Sequence, residues 1–115
     1  HGNGTQALVE GTPGIRFVSM HQWPWYPGTG AAADRGPHAN VWNVPLPPGL
    51  AAARYVEAWE RAIDAATAGW TPELVILSAG FDCLAGDPLG GFTLDMPEID
   101  AMTRSLVARA SAWCG

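Results

Sequence analysis

Apolar residues in this chain recur at two spacings, and the change from one to the other divides it into elements. Residues 15–21, IRFVSMH, carry mostly apolar side chains on both faces, the pattern of a central parallel strand. A second β-rich run, ANVWNVPL at 39–46, alternates well enough for a strand and is halted by Pro45, Pro47 and Pro48. From Leu50 to Ala68 the period becomes helical. Leu50, Tyr55, Ala58, Trp59, Ala62, Ile63 and Ala66 share one stripe, while Arg54, Glu57, Glu60, Arg61 and Asp64 lie mostly elsewhere. Gly69 is a natural stop for that helix. Residues 74–79, LVILSA, predict a third, buried strand running into a glycine-rich loop. Asp95 and Glu98 stand at capping-box spacing, with Pro97 tolerated in the first turn, and open a helix to about Cys114. At the start, HGNGTQALVEG reads as a Gly-rich loop and a short helix that Gly11 or Pro13 ends.

Strands alternating with helices imply an α/β fold with a mainly parallel sheet covered on both faces. Such sheets bind ligands beyond the carboxyl ends of their strands, and Asp82 follows one such end. QWPWYPGTGAAADRGPH, between the first two strands, spends Trp23, Trp25 and Tyr26 on a long loop. That marks an ordered, functional loop rather than a linker.

At 115 residues the chain is one domain at most. Its 48% hydrophobic share supports a core, but 15% charged residues are few for a free-standing domain. The chain also opens on His1, directly inside a glycine motif. The first feature fits either a heavily buried α/β protein or a piece of a larger one, and the second predicts that residues 1–115 are a central fragment of a single domain, cut at both ends. A net charge of −5 with six scattered basic residues excludes a broad nucleic-acid footprint. Two cysteines make no disulfide framework, so a cytoplasmic location is the default expectation. No apolar run approaches the roughly 20 residues needed to cross a bilayer, so no membrane is expected among its partners.

The side chains able to carry chemistry are few. Asp82 reads either as a metal ligand or catalytic carboxylate, or as a turn cap before LAG. Asp87, before Pro88, reads as a turn-former, and Cys83 as a small packed residue. His1 lies between glycine-permitted turns, His21 at a strand end, and His38 in a surface-like setting. The Trp23, Trp25, Tyr26 cluster could wall a narrow apolar channel or simply pin its own loop.

Taken in order, HGNGTQ, VSMHQWPWYPGTG, NVPLPPG and SAGFDCLAGDPLGGF resemble the zinc-dependent histone deacetylase family across nearly the whole chain. Its bacterial branch includes acetoin-utilisation proteins and acetylpolyamine amidohydrolases. The resemblance implies an arginase-like α/β fold and hydrolysis of acetyl-lysine-type or acetylpolyamine amides, with an acetylated amine as substrate. It implies Zn2+, held by an Asp-x-His pair on one strand and a second Asp at the end of another. Asp82 matches that second Asp, and the Asp-x-His pair would lie immediately before His1. The family's catalytic histidine pair and tyrosine would also lie outside these residues, so the chain alone is expected to be inactive. By the same resemblance, Tyr26 and Leu89 match walls of the substrate tunnel. Ser19 and the Met20 carbonyl match a structural K+ site. The carbonyls of Val9, Thr12, Ile15 and Asn40 match a second monovalent-ion site, Asn40 least securely because ADRGPHAN departs from the family's usual Gly-rich run.

Two alternatives remain at this level. One is a non-catalytic relative that only binds metal or a partner. The other is a flavodoxin-type receiver phosphorylated on Asp82, against which stands the absence of any lysine. Cut sheet edges would in addition favour homo-oligomers of the isolated piece.

Overall fold

A computed structural model describes all 115 residues. In chain order they form α1 (Asn3–Val9), β1 (Phe17–Gln22), β2 (Val41–Leu46), α2 (Ala52–Thr67), a 3-10 turn at Phe81–Cys83, and α3 (Met96–Cys114). The strands β1 and β2 pair in parallel, with Ser19 opposite Asn43 and His21 opposite Pro45. The strand β2 runs through Pro45 to Leu46 instead of halting there. It is an edge strand, where a missing N–H is tolerated.

The two faces of this small sheet differ. One carries Met20 and Leu46 towards the apolar core. The other buries Ser19, His21 and Asn43 beside Val41, so polar side chains fill positions where apolar ones were expected. Buried polar groups are costly unless hydrogen-bonded, and here each of the three polar ones is.

The helix α2 forms for the reason its stripe suggests. Tyr55, Trp59, Ala62 and Ala66 are its buried residues, at the spacing of one helical face. Tyr55 and Trp59 join Met102 and Leu106 of α3 in the core, with Phe92, Leu94 and Cys83 completing it. The Tyr55 and Phe92 rings meet edge to face, centroids 5.0 Å apart. Arg109 of α3 bridges to Glu60 and Asp64 of α2, each at 2.5 Å. The last carbonyls of α2 lack intrahelical partners. Arg16 donates to the carbonyls of Ala66 and Ala68 there, its guanidinium lying over the Trp42 and Trp70 rings. The capping box of α3 forms as expected, the Glu98 carboxylate accepting the Asp95 N–H at 2.9 Å.

The predicted third strand does not form. Residues 74–79 have no ladder partner, and none of their backbone groups makes a backbone hydrogen bond. Leu74 is 73% and Ile76 83% exposed, and Val75 alone packs against the core. Apolar patterning makes a segment able to pair, but a strand exists only when a neighbour supplies donors and acceptors. Neither edge of the two-stranded sheet does so here.

Candidate functional site

The loop carrying Asp82 is fastened to the carboxyl end of β1. The Gly91 N–H donates to Gln22 Oε1 at 2.7 Å, and the Gly91 carbonyl accepts from Gly49 N–H at 2.6 Å. Only glycines fit at 90 and 91. A Cβ on Gly90 would overlap the Asp82 carbonyl oxygen, and one on Gly91 would lie 2.7 Å from the Pro48 ring. Asp87 is the turn-former its sequence suggested, its Oδ1 accepting from the N–H groups of Leu89 (2.9 Å) and Gly90 (2.6 Å). Those donors hold its carboxyl below the usual carboxylate range.

The Asp82 side chain stands at this rim, exposed, and enters no hydrogen bond or ion pair. Its charge is felt behind it. The buried Cys83 thiol is pushed up by burial first and by Asp82 second. The Tyr55 phenol is raised by burial, then by Cys83 and Asp82. Tyr26 and Leu89, 86% and 75% exposed, lie on loops that leave or touch the same strand end. Trp25 beside Tyr26 is exposed too, so the loop displays aromatic surface there instead of packing all of it away.

A second group of polar side chains lies beneath β1. His21 Nε2 sits 2.9 Å from the Gly30 carbonyl oxygen and its Nδ1 3.0 Å from Ser19 Oγ. A carbonyl can only accept, so Nε2 carries a proton. Burial pushes the His21 pKa down, which keeps Nδ1 bare to accept the Ser19 hydroxyl. The one Ser19 hydroxyl proton has two acceptors within reach, His21 Nδ1 and the His1 carbonyl oxygen, the latter at 3.1 Å. Met20 follows Ser19 directly in β1. The His1 ring stacks on His21 with centroids 4.1 Å apart, and both His1 ring nitrogens are buried without a partner. Gly30 has φ +86°, and a side chain there would strike both imidazoles.

Around the turn after α1, Thr12 N–H donates to the Val9 carbonyl and Ile15 N–H to the Thr12 carbonyl. The buried Asn40 reaches into this turn. Its Nδ2 donates to the carbonyls of Thr12 (3.1 Å) and Ile15 (2.9 Å), while its own carbonyl accepts from Phe17 N–H. The structure therefore brings Thr12, Ile15 and Asn40 into direct contact, with Val9 one hydrogen bond away. The donor at their centre is an amide.

One network was missed in the sequence. Gln6 Nε2 donates to Glu10 (3.0 Å) and Asp34 (2.8 Å), and Gln6 Oε1 accepts from Asn43. Gln6, Glu10 and Asp34 edge an open polar pocket of about 280 Å3. Asn43, polar in the middle of an apolar strand, was the available signal.

No three His, Cys, Asp or Glu side chains converge on a point able to hold a metal ion. Asp82 fits a zinc centre as one oxygen donor, but the residues present do not compose such a centre by themselves.

The histone deacetylase domain matches residues 1–115. The chain belongs to the histone deacetylase family. It is 46% identical over 107 residues to an uncharacterised Synechocystis protein, covering 93% of this chain and 35% of that one. It is 36% identical to the histone deacetylase-like amidohydrolase of Pseudomonas aeruginosa, covering 90% of this chain and 28% of that protein. Against the solved structure of the histone deacetylase Clr3, the TM-score is 0.86 at 34% identity, covering 96% of this chain and 20% of that one. The fold is thus the deacetylase-like α/β fold, and the receiver alternative is set aside. The deacetylase-family chain spans about a third or less of the length of these relatives. No helix is long and apolar enough to cross a membrane.

Proposed function

We propose that these residues form part of a zinc-dependent deacetylase hydrolysing acetyl-lysine-type or acetylpolyamine amides. Membership of the family supports the reaction class. The observation that carries the site is the unpartnered Asp82 carboxylate, held at the end of β1 by a loop in which only glycine fits at two positions. A solvated carboxylate with no protein counter-charge is a suitable ligand for a divalent cation. When bound, zinc supplies a polarised amide carbonyl and a water of lowered pKa. Asp82 contributes one ligand oxygen. Tyr26 and Leu89 offer apolar surface to the neutral acetylated side chain, whose burial costs far less than that of a charged amine. Ser19 Oγ and the carbonyl of Met20 take a structural potassium ion, a role that rests on membership of the family. By itself the 115-residue chain is inactive, because one carboxylate does not hold a catalytic zinc.

The test is a chimera in which this chain replaces the corresponding segment of the Pseudomonas amidohydrolase. The chimera is expected to bind zinc and hydrolyse an acetyl-lysine peptide, and Asp82→Ala to lose both. Retention of zinc and turnover in Asp82→Ala would overturn the assignment. So would zinc-dependent turnover by the isolated chain.

A further inference from the structure

We propose that the side-chain amide of Asn40 takes the place of a monovalent cation at the turn 9–15, so that this part of the fold needs no potassium. The family resemblance leads one to expect carbonyls converging on an ion. In this chain the convergence is present but its centre is a donor group. Asn40 is 4% exposed. Its two Nδ2 protons are directed at two carbonyls, those of Thr12 and Ile15, at 3.1 and 2.9 Å.

The accounting of lone pairs leaves little for an ion. The Thr12 carbonyl already accepts from Ile15 N–H as well as from Nδ2, which uses both its lone pairs. The Val9 carbonyl accepts from Thr12 N–H, and the Asn40 carbonyl from Phe17 N–H. An amide NH2 carries partial positive charge and meets two carbonyl dipoles in the sense a cation would, without the dehydration a cation requires.

The two arrangements exclude each other. Turning the amide over would set Oδ1 about 3 Å from two carbonyl oxygens, and only a cation between them could hold three acceptors together. As placed, Oδ1 is buried without a partner, lying against Gly36, where a Cβ would come within 3.2 Å of it. That orphan acceptor is the cost of aiming both protons at the turn. No hydrogen bond joins these atoms to Asp82, so the inference stands or falls apart from the zinc reading.

The chain has three asparagines, Asn3, Asn40 and Asn43, so selective 15N labelling of asparagine isolates the Asn40 amide. In the full chain its NH2 resonances are expected to exchange slowly with solvent and to hold the same positions in potassium chloride and choline chloride of equal ionic strength. Resonances that move and saturate with potassium alone would overturn the proposal. Asn40→Asp replaces the donor by acceptors and is expected to create a cation requirement. Its melting temperature should rise on exchanging choline for potassium by about 4 °C more than that of the unmodified chain. An equal response in the two proteins would also overturn it. Should Asn40→Asp fail to fold, the resonances of the unmodified chain decide alone.

Discussion

Two stretches of this molecule carry a β-rich run into a glycine-containing loop, and they end differently. From Phe17 to Leu46, both strands pair, and the polar side chains on their shared face are hydrogen-bonded, Asn43 to Gln6 and Ser19 to His21. From Glu73 to Phe92, the β-rich run pairs with nothing, its apolar side chains other than Val75 are exposed, and the Asp82 carboxylate has no partner. The first stretch is closed by its own hydrogen bonds, with Asn40 Oδ1 as its one buried side-chain acceptor left over. The second is held from behind, by Cys83, Phe92 and Leu94 in the core and by Gly91 on Gln22, while its front stays open. Order in the Asp82 loop thus comes from a few buried anchors and two glycines rather than from a sheet. That is how a loop can present a carboxylate at the surface without pairing it.

The largest break in this contrast should come from the anchor. Leu94 is fully buried, bridges to Leu84, and exchanges hydrogen bonds with Cys83 and Ala85. Leu94→Ala leaves a cavity where the open stretch meets the core and is expected to cost about 2–5 kcal/mol in urea unfolding. The loss should appear in hydrogen exchange as faster opening of 81–94 than of β1 and β2. Equal acceleration in both stretches would show that the core, not this anchor, sets the order of the loop.

Much of this arrangement was legible beforehand. The stripe of α2, the capping box of α3, the Asp87 turn and the buried Cys83 follow from local rules about period, caps and thiols. What failed was the strand at 74–79, because patterning reports a segment's own character and says nothing about whether a neighbour supplies a ladder. The polar face of β1 and β2 was also missed. Ser19, His21 and Asn43 sit inside on account of residues 18 to 37 positions away in sequence or on distant turns, such as Gln6 and Gly30. The motif singled out Asp82, while the dependence of its loop on the side-chain-free positions 90 and 91 shows only in the folded chain.

The paired stretch should be the one that senses mild acid. Burial holds the His21 pKa below its ordinary 6.5 in the folded chain, with the nearby amino terminus also lowering it and the contacts to Gly30 and Ser19 opposing. Above pH 6.5 the ring is neutral whether folded or not, and His21 contributes no pH dependence. As pH falls below 6.5 the unfolded chain takes the proton first, so stability declines until the folded ring titrates as well. Urea midpoints measured from pH 7.5 down to 5.5 should fall. His21→Gln should flatten that fall, even though it lowers stability at every pH by removing a two-sided hydrogen-bonded ring. A fall of unchanged size in His21→Gln would overturn this assignment.

The smallest effect on the folded chain, and the most selective, belongs to the open stretch itself. Ile76 is 83% exposed and its backbone makes no backbone hydrogen bond, so the folded monomer gains little from it. Ile76→Thr keeps the branched shape, removes apolar surface and should change unfolding free energy by no more than about 0.5 kcal/mol. Association between copies is another matter. Leu74, Ile76 and Leu77 present an unpaired apolar segment, and unpaired extended backbone with exposed apolar side chains is a template for pairing with another chain. Sedimentation of the isolated chain should therefore show self-association that Ile76→Thr weakens, at nearly unchanged monomer stability. If the variant instead unfolds the monomer, residues 74–79 have partners within the fold, and the division between a closed and an open stretch is wrong.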